Sequence, residues 1–230
     1  SVRYWADADA GAFDAMRASM AQDRTSDRPG AFLALSGGSD DGAYAAGFLK
    51  GWSGTGKRPE FAIVSGVSTG ALIAPFAFLG SDYDDRLPGF YTGVTRKEIY
   101  RQRGVVGLLT QPSIADTAPL ADLIAQNVDE PLLAAIAEEH RKGRRLLVQT
   151  TNLDAARGVV WDMGAIAQST DPRRLELFRR VLLASASIPG LFAPVMIEVT
   201  EGAQSFAEMH VDGSATAGFL AIPESVIARG

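Results

Sequence analysis

The fold is indicated most directly by the stretch Phe61-Ala62-Ile63-Val64-Ser65-Gly66-Val67-Ser68-Thr69-Gly70. Its first half is a short apolar run typical of a buried strand, and residues 69–79 continue in a pattern that predicts a helix. A serine between two glycines at such a strand-to-helix turn matches G-x-S-x-G, a pattern whose turn exposes a nucleophilic hydroxyl. Gly66 and Gly70 leave room where a Cβ atom would clash with neighbouring backbone. We therefore predict that Ser68 is a nucleophile, with a chance match of the pattern as the alternative.

The segment before this stretch repeats the same organisation. Residues 31–36 form an apolar run that predicts a buried strand, Gly37 and Gly38 interrupt it, and residues 42–52 predict a helix. Two consecutive strand–turn–helix units indicate parallel βα units, so the predicted fold class is α/β.

Apolar patterns predict further strands and helices along the rest of the chain. Strands are predicted at residues 144–151, 158–161, 193–200 and 206–211, and helices at residues 119–127, 131–140 and 173–185. Residues 81–118 are less regular and predict short helices and loops that form a cap or a wall of the site. We divide the chain into a leader at residues 1–30, packed on the core, and one domain at residues 31–230.

The composition restricts the kinds of partner. The chain has 230 residues and a net charge of −5, without a run of Lys or Arg, so its charge does not favour nucleic-acid binding. It contains no cysteine, which excludes disulfides and thiolate metal sites. No apolar run reaches the roughly 18–20 residues that span a bilayer.

The loop between the first predicted strand and helix contains Gly37, Gly38 and Ser39, followed by two aspartates and Gly42. A glycine turn at a helix N-terminus can bind phosphate. This loop lacks the Gly-Lys-Ser/Thr ending of a P-loop, however, and its aspartates would repel an anion. We predict instead that N–H groups near Gly38 and Ser39 form an oxyanion hole. Successive βα units bring both loops to one edge of the sheet, which favours this prediction over a plain tight turn.

A base for the serine is expected elsewhere in the chain, which has two histidines. His140 ends a predicted helix and is predicted to lie in solvent. Neither His140 nor His210 fits the Ser…Asp…His order of α/β-hydrolases. Asp212 ends a predicted strand, and Gly213 permits a turn that frees the carboxylate to accept the serine proton. We predict Asp212 as the base, with a plain Asp-Gly turn and a triad through His210 as alternatives.

These three motifs in this order resemble the patatin-like phospholipase family, over residues 31–217. Residues 150–154 and 183–189 also look like segments of that family. The resemblance implies a patatin-like three-layer α/β/α fold with a mainly parallel central sheet. It also implies a Ser–Asp catalytic dyad, with Ser68 as the nucleophile and Asp212 as the base.

The resemblance further implies an oxyanion region at residues 37–39, closed by Gly42. The family loop usually has a third Gly where this chain has Ser39, and Arg or Lys where it has Asp41. The Asp-Gly pair is usually followed by Ala or Gly, and here by Ser214. If the third position of the loop requires a positive φ, Ser39 is strained there, because only glycine adopts that conformation easily. Without a basic residue at position 41, the loop would attract anionic head groups less strongly.

The activity implied by the resemblance is cleavage of fatty-acyl esters of phospholipids or related lipids through an acyl-enzyme, without a metal or cofactor. We expect a lipid or ester substrate, peripheral contact with a membrane and no nucleic acid. Because the chain begins with Ser1 and the family is often exported in bacteria, we expect a bacterial cell-envelope or secreted location. The alternative is a patatin-fold lipid-binding protein with weak or no turnover, which the changes at Ser39 and Asp41 favour.

Overall fold

The structure, a computed structural model, describes residues 2–14, 16, 18, 20, 31–38, 42–87, 116–202 and 204–220. The strands of this part are β1 (Arg3–Trp5), β2 (Ala31–Leu35), β3 (Phe61–Val67), β4 (Arg145–Asn152), β5 (Arg157–Asp162), β6 (Val195–Glu201) and β7 (Gln204–Asp212). Its helices are α1 (Gly42–Gly54), α2 (Thr69–Leu79), α3 (Ala118–Asn127), α4 (Glu130–Arg141), α5 (Met163–Gln168) and α6 (Arg174–Ser185). Within the described residues the strands form one seven-stranded sheet flanked by helices, which confirms the predicted α/β class.

The centre of the sheet is parallel. Strands β2, β3 and β4 run side by side in the same direction, and α1 connects β2 to β3. Strand β5 pairs antiparallel with β4, and β1 pairs antiparallel with β5. Both predicted strand–turn–helix units are therefore present, and their turns share one edge of the sheet.

Strand β7 enters the sheet beyond the end of β3. Strand β3 pairs with β4 as far as Val67, which lies opposite Gln149. The next residue of β4, Thr150, lies opposite Asp212 of β7, and β6 pairs with β7. The register therefore brings the end of β7 next to the end of β3.

Successive side chains along the central strands belong alternately to two hydrophobic cores. Val64, Leu146 and Val148 belong to a large core shared with the helices, whereas Ile63 and Leu147 belong to a smaller one. Because successive side chains of a strand point to opposite faces, these cores lie on the two sides of the sheet. Burial of this apolar surface is the main driving force for the fold.

Helix α2, directly after Ser68, is buried almost all round. Ten of its 11 residues are buried, including Pro75 inside the helix, which explains why its sequence has no polar face. The carbonyls of its last turn accept hydrogen bonds from arginine side chains. Arg58 donates to the carbonyl of Ala77 and Arg144 to that of Phe78. The helix is thus anchored at the end away from Ser68.

The N-terminal leader contributes a strand to the sheet. Strand β1 was not predicted, because three residues are too short to show a periodic pattern. Met16 and Met20 are buried in the smaller core with Ile63 and Leu147. Residues 21–30 of the predicted leader lie outside the described residues.

Two predicted regions lie only partly within the described residues. Of the cap predicted at residues 81–118, Ser81–Arg86 forms a short 3₁₀ helix, and residues 88–115 lie outside the described residues. The same holds for Ser39, Asp40 and Asp41 of the predicted oxyanion loop, whereas Gly37 and Gly38 are described.

Candidate active site

Ser68 occupies a sharp turn between β3 and α2. Its backbone has φ 56° and ψ −125°, in a region that non-glycine residues rarely adopt. Such a conformation costs on the order of 1–3 kcal/mol and persists where the surrounding structure imposes it, often at functional sites. The serine is buried, with 7% of its surface exposed.

The glycines on either side of Ser68 are required by close backbone contacts. A Cβ atom on Gly66 would lie 2.6 Å from the carbonyl oxygen of Gly70. A Cβ atom on Gly70 would lie 2.3 Å from the carbonyl oxygen of Leu35, at the end of β2. Both distances are far below van der Waals contact, so glycine at position 66 lets the strand lie against the start of α2, and glycine at position 70 lets α2 lie against β2.

Asp212 lies within hydrogen-bonding distance of the serine. Ser68 Oγ donates to Asp212 Oδ2 at 2.6 Å, and the aspartate is 1% exposed. The second carboxylate oxygen, Oδ1, accepts from the N–H of Ser214 at 2.8 Å and from its hydroxyl at 2.6 Å. The N–H of Asp212 donates to the carbonyl of Ser187 at 2.8 Å. The carboxylate is thus held in one orientation, with Oδ2 towards the serine.

Gly213 allows the chain to turn immediately after the aspartate. A Cβ atom on Gly213 would lie 2.4 Å from the carbonyl oxygen of Gln149. The carbonyl of Gly213 accepts hydrogen bonds from the Gln149 amide at 3.2 Å and from the Thr216 hydroxyl at 3.1 Å. The Asp-Gly turn is therefore fastened to β4. The roles of Gln149 and Thr216 are not predictable from local sequence, because they depend on the pairing of β4 with β7.

The described part of the predicted oxyanion loop lies against the serine. A Cβ atom on Gly37 would lie 3.0 Å from Ser68 Cβ and 3.7 Å from Ser214 Cβ. The N–H of Gly37 donates to the carbonyl of Gly218 at 3.0 Å, so this group does not point at a substrate. Gly42 is buried and begins α1. The structure thus places Gly37 beside Ser68, with its own N–H engaged by Gly218, and the predicted donors near Gly38 and Ser39 stay a prediction.

Both ring nitrogens of His210 contact residues other than Ser68 and Asp212. Its Nδ1 lies 2.9 Å from Thr150 Oγ1, and its Nε2 lies 3.1 Å from Glu208 Oε2. The Glu208 carboxylate can only accept, so the proton of the neutral ring is on Nε2, and Nδ1 accepts from the Thr150 hydroxyl, which itself accepts from Trp161 Nε1 at 2.8 Å. Burial lowers the pKa of His210, and the hydrogen bond to Glu208 offsets only part of this effect. A neutral, structural histidine results, and the geometry does not support a triad through His210.

His140 is not in solvent, in contrast to the prediction. It is 9% exposed, and its Nδ1 lies 3.5 Å from Asp162 Oδ1. A Cβ atom on Gly164 would lie 2.3 Å from the same nitrogen, so α4 and α5 meet closely here. The prediction was wrong because the basic residues after His140 suggested a solvated helix end, whereas α5 packs over it.

Other features of the described residues do not suggest a second site for the chemistry. A cavity of about 260 Å³ near the start of β3 is lined by Arg58, Glu60, Glu139 and Arg144 among others, and Ser68 and Asp212 are not part of its lining. Among the residues that the structure describes, no group of three His, Asp or Glu side chains could hold a metal ion. No helix in this part is long and apolar enough to cross a bilayer.

A comparison with known proteins identifies the family of this chain. The model of the patatin-like phospholipase family matches residues 33–222, from β2 to beyond the Asp-Gly turn. The match covers most of the chain, including the Ser68 turn, the glycine loop and Asp212. The search of curated proteins found no match. On the strength of the family match, this chain belongs to the patatin-like phospholipase family, whose members are lipid acyl hydrolases.

Proposed function

We propose that the protein is a serine acyl hydrolase that cleaves fatty-acyl esters of phospholipids or related lipids through Ser68 and Asp212. The observation that carries the proposal is the 2.6 Å hydrogen bond from Ser68 Oγ to Asp212 Oδ2 at a strained strand-to-helix turn. Membership of a lipid acyl hydrolase family supplies the substrate class.

In the first half of the proposed reaction, Ser68 Oγ attacks the ester carbonyl carbon while Asp212 Oδ2 accepts the hydroxyl proton. The resulting tetrahedral oxyanion needs preorganised N–H donors. We assign these to Gly38 and Ser39, because Gly37 N–H donates to the carbonyl of Gly218. Collapse of the intermediate breaks the bond to the leaving alcohol, which takes the proton back from Asp212 and leaves an acyl group on Ser68.

The second half repeats these steps with water. Asp212 accepts a proton from the water as its oxygen attacks the acyl carbon, and Ser68 leaves as the alcohol with that proton. The fatty acid is released and the enzyme returns to its starting state. All proton transfers pass through one carboxylate, so the proposed reaction requires no metal or cofactor.

The proposed substrate indicates where the protein acts. Acyl esters of this kind reside in membranes, so the proposal includes peripheral contact with a lipid surface, at a bacterial cell envelope or after secretion. The net charge of −5 does not favour attraction to an anionic surface or to nucleic acid.

A second candidate is a lipid-binding protein of the same fold with little turnover. One observation favours it: the N–H of Gly37, which lies against Ser68, is occupied by the carbonyl of Gly218. An oxyanion hole with fewer free donors stabilises the transition state less, and each lost donor costs about 10²–10³-fold in rate.

Hydrolysis of phospholipid vesicles by wild type, Ser68→Ala and Ser65→Ala distinguishes these candidates. Ser65 is a matched control, because it is a fully buried serine of β3, the strand that leads to Ser68, and its hydroxyl donates to the carbonyl of Leu220 at 3.0 Å. The proposal predicts fatty-acid release by wild type and Ser65→Ala, and none by Ser68→Ala. Undiminished release by Ser68→Ala would refute it, and vesicle binding by wild type without any release would favour the second candidate.

A further inference from the structure

The segment at the end of α6 contacts both members of the Ser–Asp pair. Ser185 is fully buried, and its hydroxyl accepts a hydrogen bond from the N–H of Ser68 at 3.0 Å. Two residues later, the carbonyl of Ser187 accepts from the N–H of Asp212 at 2.8 Å. One short stretch of chain therefore holds the backbones of both residues, although they come from different strands.

The Ser185 hydroxyl lies where β3 separates from β4. The parallel pairing of these strands ends at Val67 opposite Gln149. The next N–H, that of Ser68, donates to Ser185 Oγ, which in turn donates to the carbonyl of Gln149 at 2.7 Å. The Ser185 hydroxyl thus bridges the N–H of Ser68 and the carbonyl of Gln149, at the point where β3 and β4 are no longer hydrogen-bonded to each other directly.

This bridge compensates for the strained backbone of Ser68. A residue at φ 56° tends to relax unless its surroundings restrain it. Loss of the acceptor would leave a buried N–H unsatisfied, which itself costs about 1–3 kcal/mol and provides a reason for the turn to rearrange. Rearrangement would move Ser68 Oγ relative to Asp212 Oδ2, and misplacement by about 1 Å can lower a rate by on the order of 10²-fold.

We infer that Ser185 is a positioning residue for the nucleophile, whose hydroxyl holds the Ser68 backbone in the conformation that directs Oγ at Asp212. The inference rests on the proposed function, in which Ser68 is the attacking group. It has a further consequence: the N–H of Ser68 is engaged by Ser185, so it is not one of the oxyanion donors.

The role requires a side chain that accepts and donates a hydrogen bond within a fully buried space. Alanine offers neither function, and threonine offers both. Valine has nearly the shape of threonine and lacks the hydroxyl. The comparison of Ser185→Thr with Ser185→Val therefore isolates the hydroxyl from the volume of the side chain.

The test compares Ser185→Ala with Ser65→Ala, in which an equally buried serine also loses a hydrogen bond to a backbone carbonyl. Three quantities are measured on folded protein: the rate of labelling by a fluorophosphonate, and the kcat and KM for hydrolysis of p-nitrophenyl butyrate. We expect Ser185→Ala to lower the labelling rate and kcat by at least about tenfold, with KM within about twofold of wild type. Ser65→Ala is expected to keep both rates within about twofold, because its hydroxyl does not contact Ser68.

Equal labelling of Ser185→Ala and wild type would overturn the inference, as would an equal loss in Ser65→Ala. If Ser185→Ala does not fold, the Thr and Val variants decide: faster labelling of Ser185→Thr than of Ser185→Val supports the role of the hydroxyl, and equal rates overturn it. A wild-type protein that neither reacts with the fluorophosphonate nor hydrolyses the ester would instead refute the proposed function, a result distinct from active wild type with an equally active Ser185→Ala.

Discussion

Ser68 and Asp212, 144 positions apart in the chain, are joined by a hydrogen bond of 2.6 Å between Oγ and Oδ2. The contact follows from the register of β4, whose Gln149 pairs with Val67 and whose Thr150 pairs with Asp212. Strand β4 therefore aligns the ends of β3 and β7, and each end carries one of the two residues. The site depends on this alignment and on the two glycine-containing turns that follow it.

Replacement of Asp212 by Asn tests its role as the base. The amide has nearly the shape of the carboxylate but cannot accept the serine proton, so we expect kcat to fall by about 10²–10⁴-fold with little change in KM. Ester hydrolysis under saturating substrate measures this effect. Asp154→Asn serves as the control, because Asp154 accepts from the N–H of Met209 on the same strand and does not contact Ser68. Asp212→Asn with activity close to wild type would rule out the proposed base.

Replacement of Gly37 by Ala is expected to block the site without unfolding the protein. The new Cβ atom would lie 3.0 Å from Ser68 Cβ, closer than side chains normally pack. We expect fluorophosphonate labelling to slow by at least about tenfold. Gly47→Ala is the matched control, because a Cβ atom at that position on α1 has nothing within 4 Å. Labelling of Gly37→Ala at the rate of Gly47→Ala would show that the loop does not lie against the nucleophile.

Substitution of His210 by Gln should lower stability and leave the chemistry in place. The histidine bridges Thr150 and Glu208 inside the protein, so loss of its hydrogen bonds is expected to cost about 1–3 kcal/mol of unfolding free energy. Activity per folded molecule should stay within about threefold of wild type, because His210 does not contact Ser68. Denaturant unfolding and active-site titration measure the two quantities. Loss of activity in fully folded His210→Gln would revive the triad alternative.

The lowered pKa of His210 also predicts a dependence of stability on pH. Above the ordinary value of 6.5, the ring is neutral in the folded and unfolded chains and has no effect. As pH falls below this value, the unfolded chain takes up the proton first, so wild type loses stability until pH passes the lowered folded pKa. The melting temperature of His210→Gln is expected to change less than that of wild type from about pH 7.5 to about pH 5.5. Identical slopes would contradict this assignment.

The parts of the site that the sequence analysis predicted are those set by local constraints. The Ser68 turn was predictable because its two glycines and the strand and helix around it are contiguous in the chain. Asp212-Gly213 was predictable as a strand end with a turn. Both motifs are short, and each has a physical requirement that the structure explains, since a Cβ atom on Gly66, Gly70 or Gly213 would overlap backbone atoms.

The features that the sequence analysis missed depend on which elements become neighbours. Residues 183–189 resemble a family segment, but the contact of Ser185 with Ser68 was not predicted, because it arises only where α6 ends beside the gap between β3 and β4. The burial of His140 depends likewise on α5 packing over the end of α4. The engagement of Gly37 N–H by Gly218 depends on the path of the chain after the Asp-Gly turn.

The central claim, that Ser68 is the nucleophile, is tested most directly by locating the adduct that forms with a fluorophosphonate. The position of the adduct is informative because a second serine contacts the same aspartate: the Ser214 hydroxyl donates to Asp212 Oδ1 at 2.6 Å. Peptide mass spectrometry of labelled wild type should find one phosphonyl group, on the peptide that contains Ser68, and Ser68→Ala should remain unmodified. An adduct on Ser214, or a labelled Ser68→Ala protein, would contradict the account.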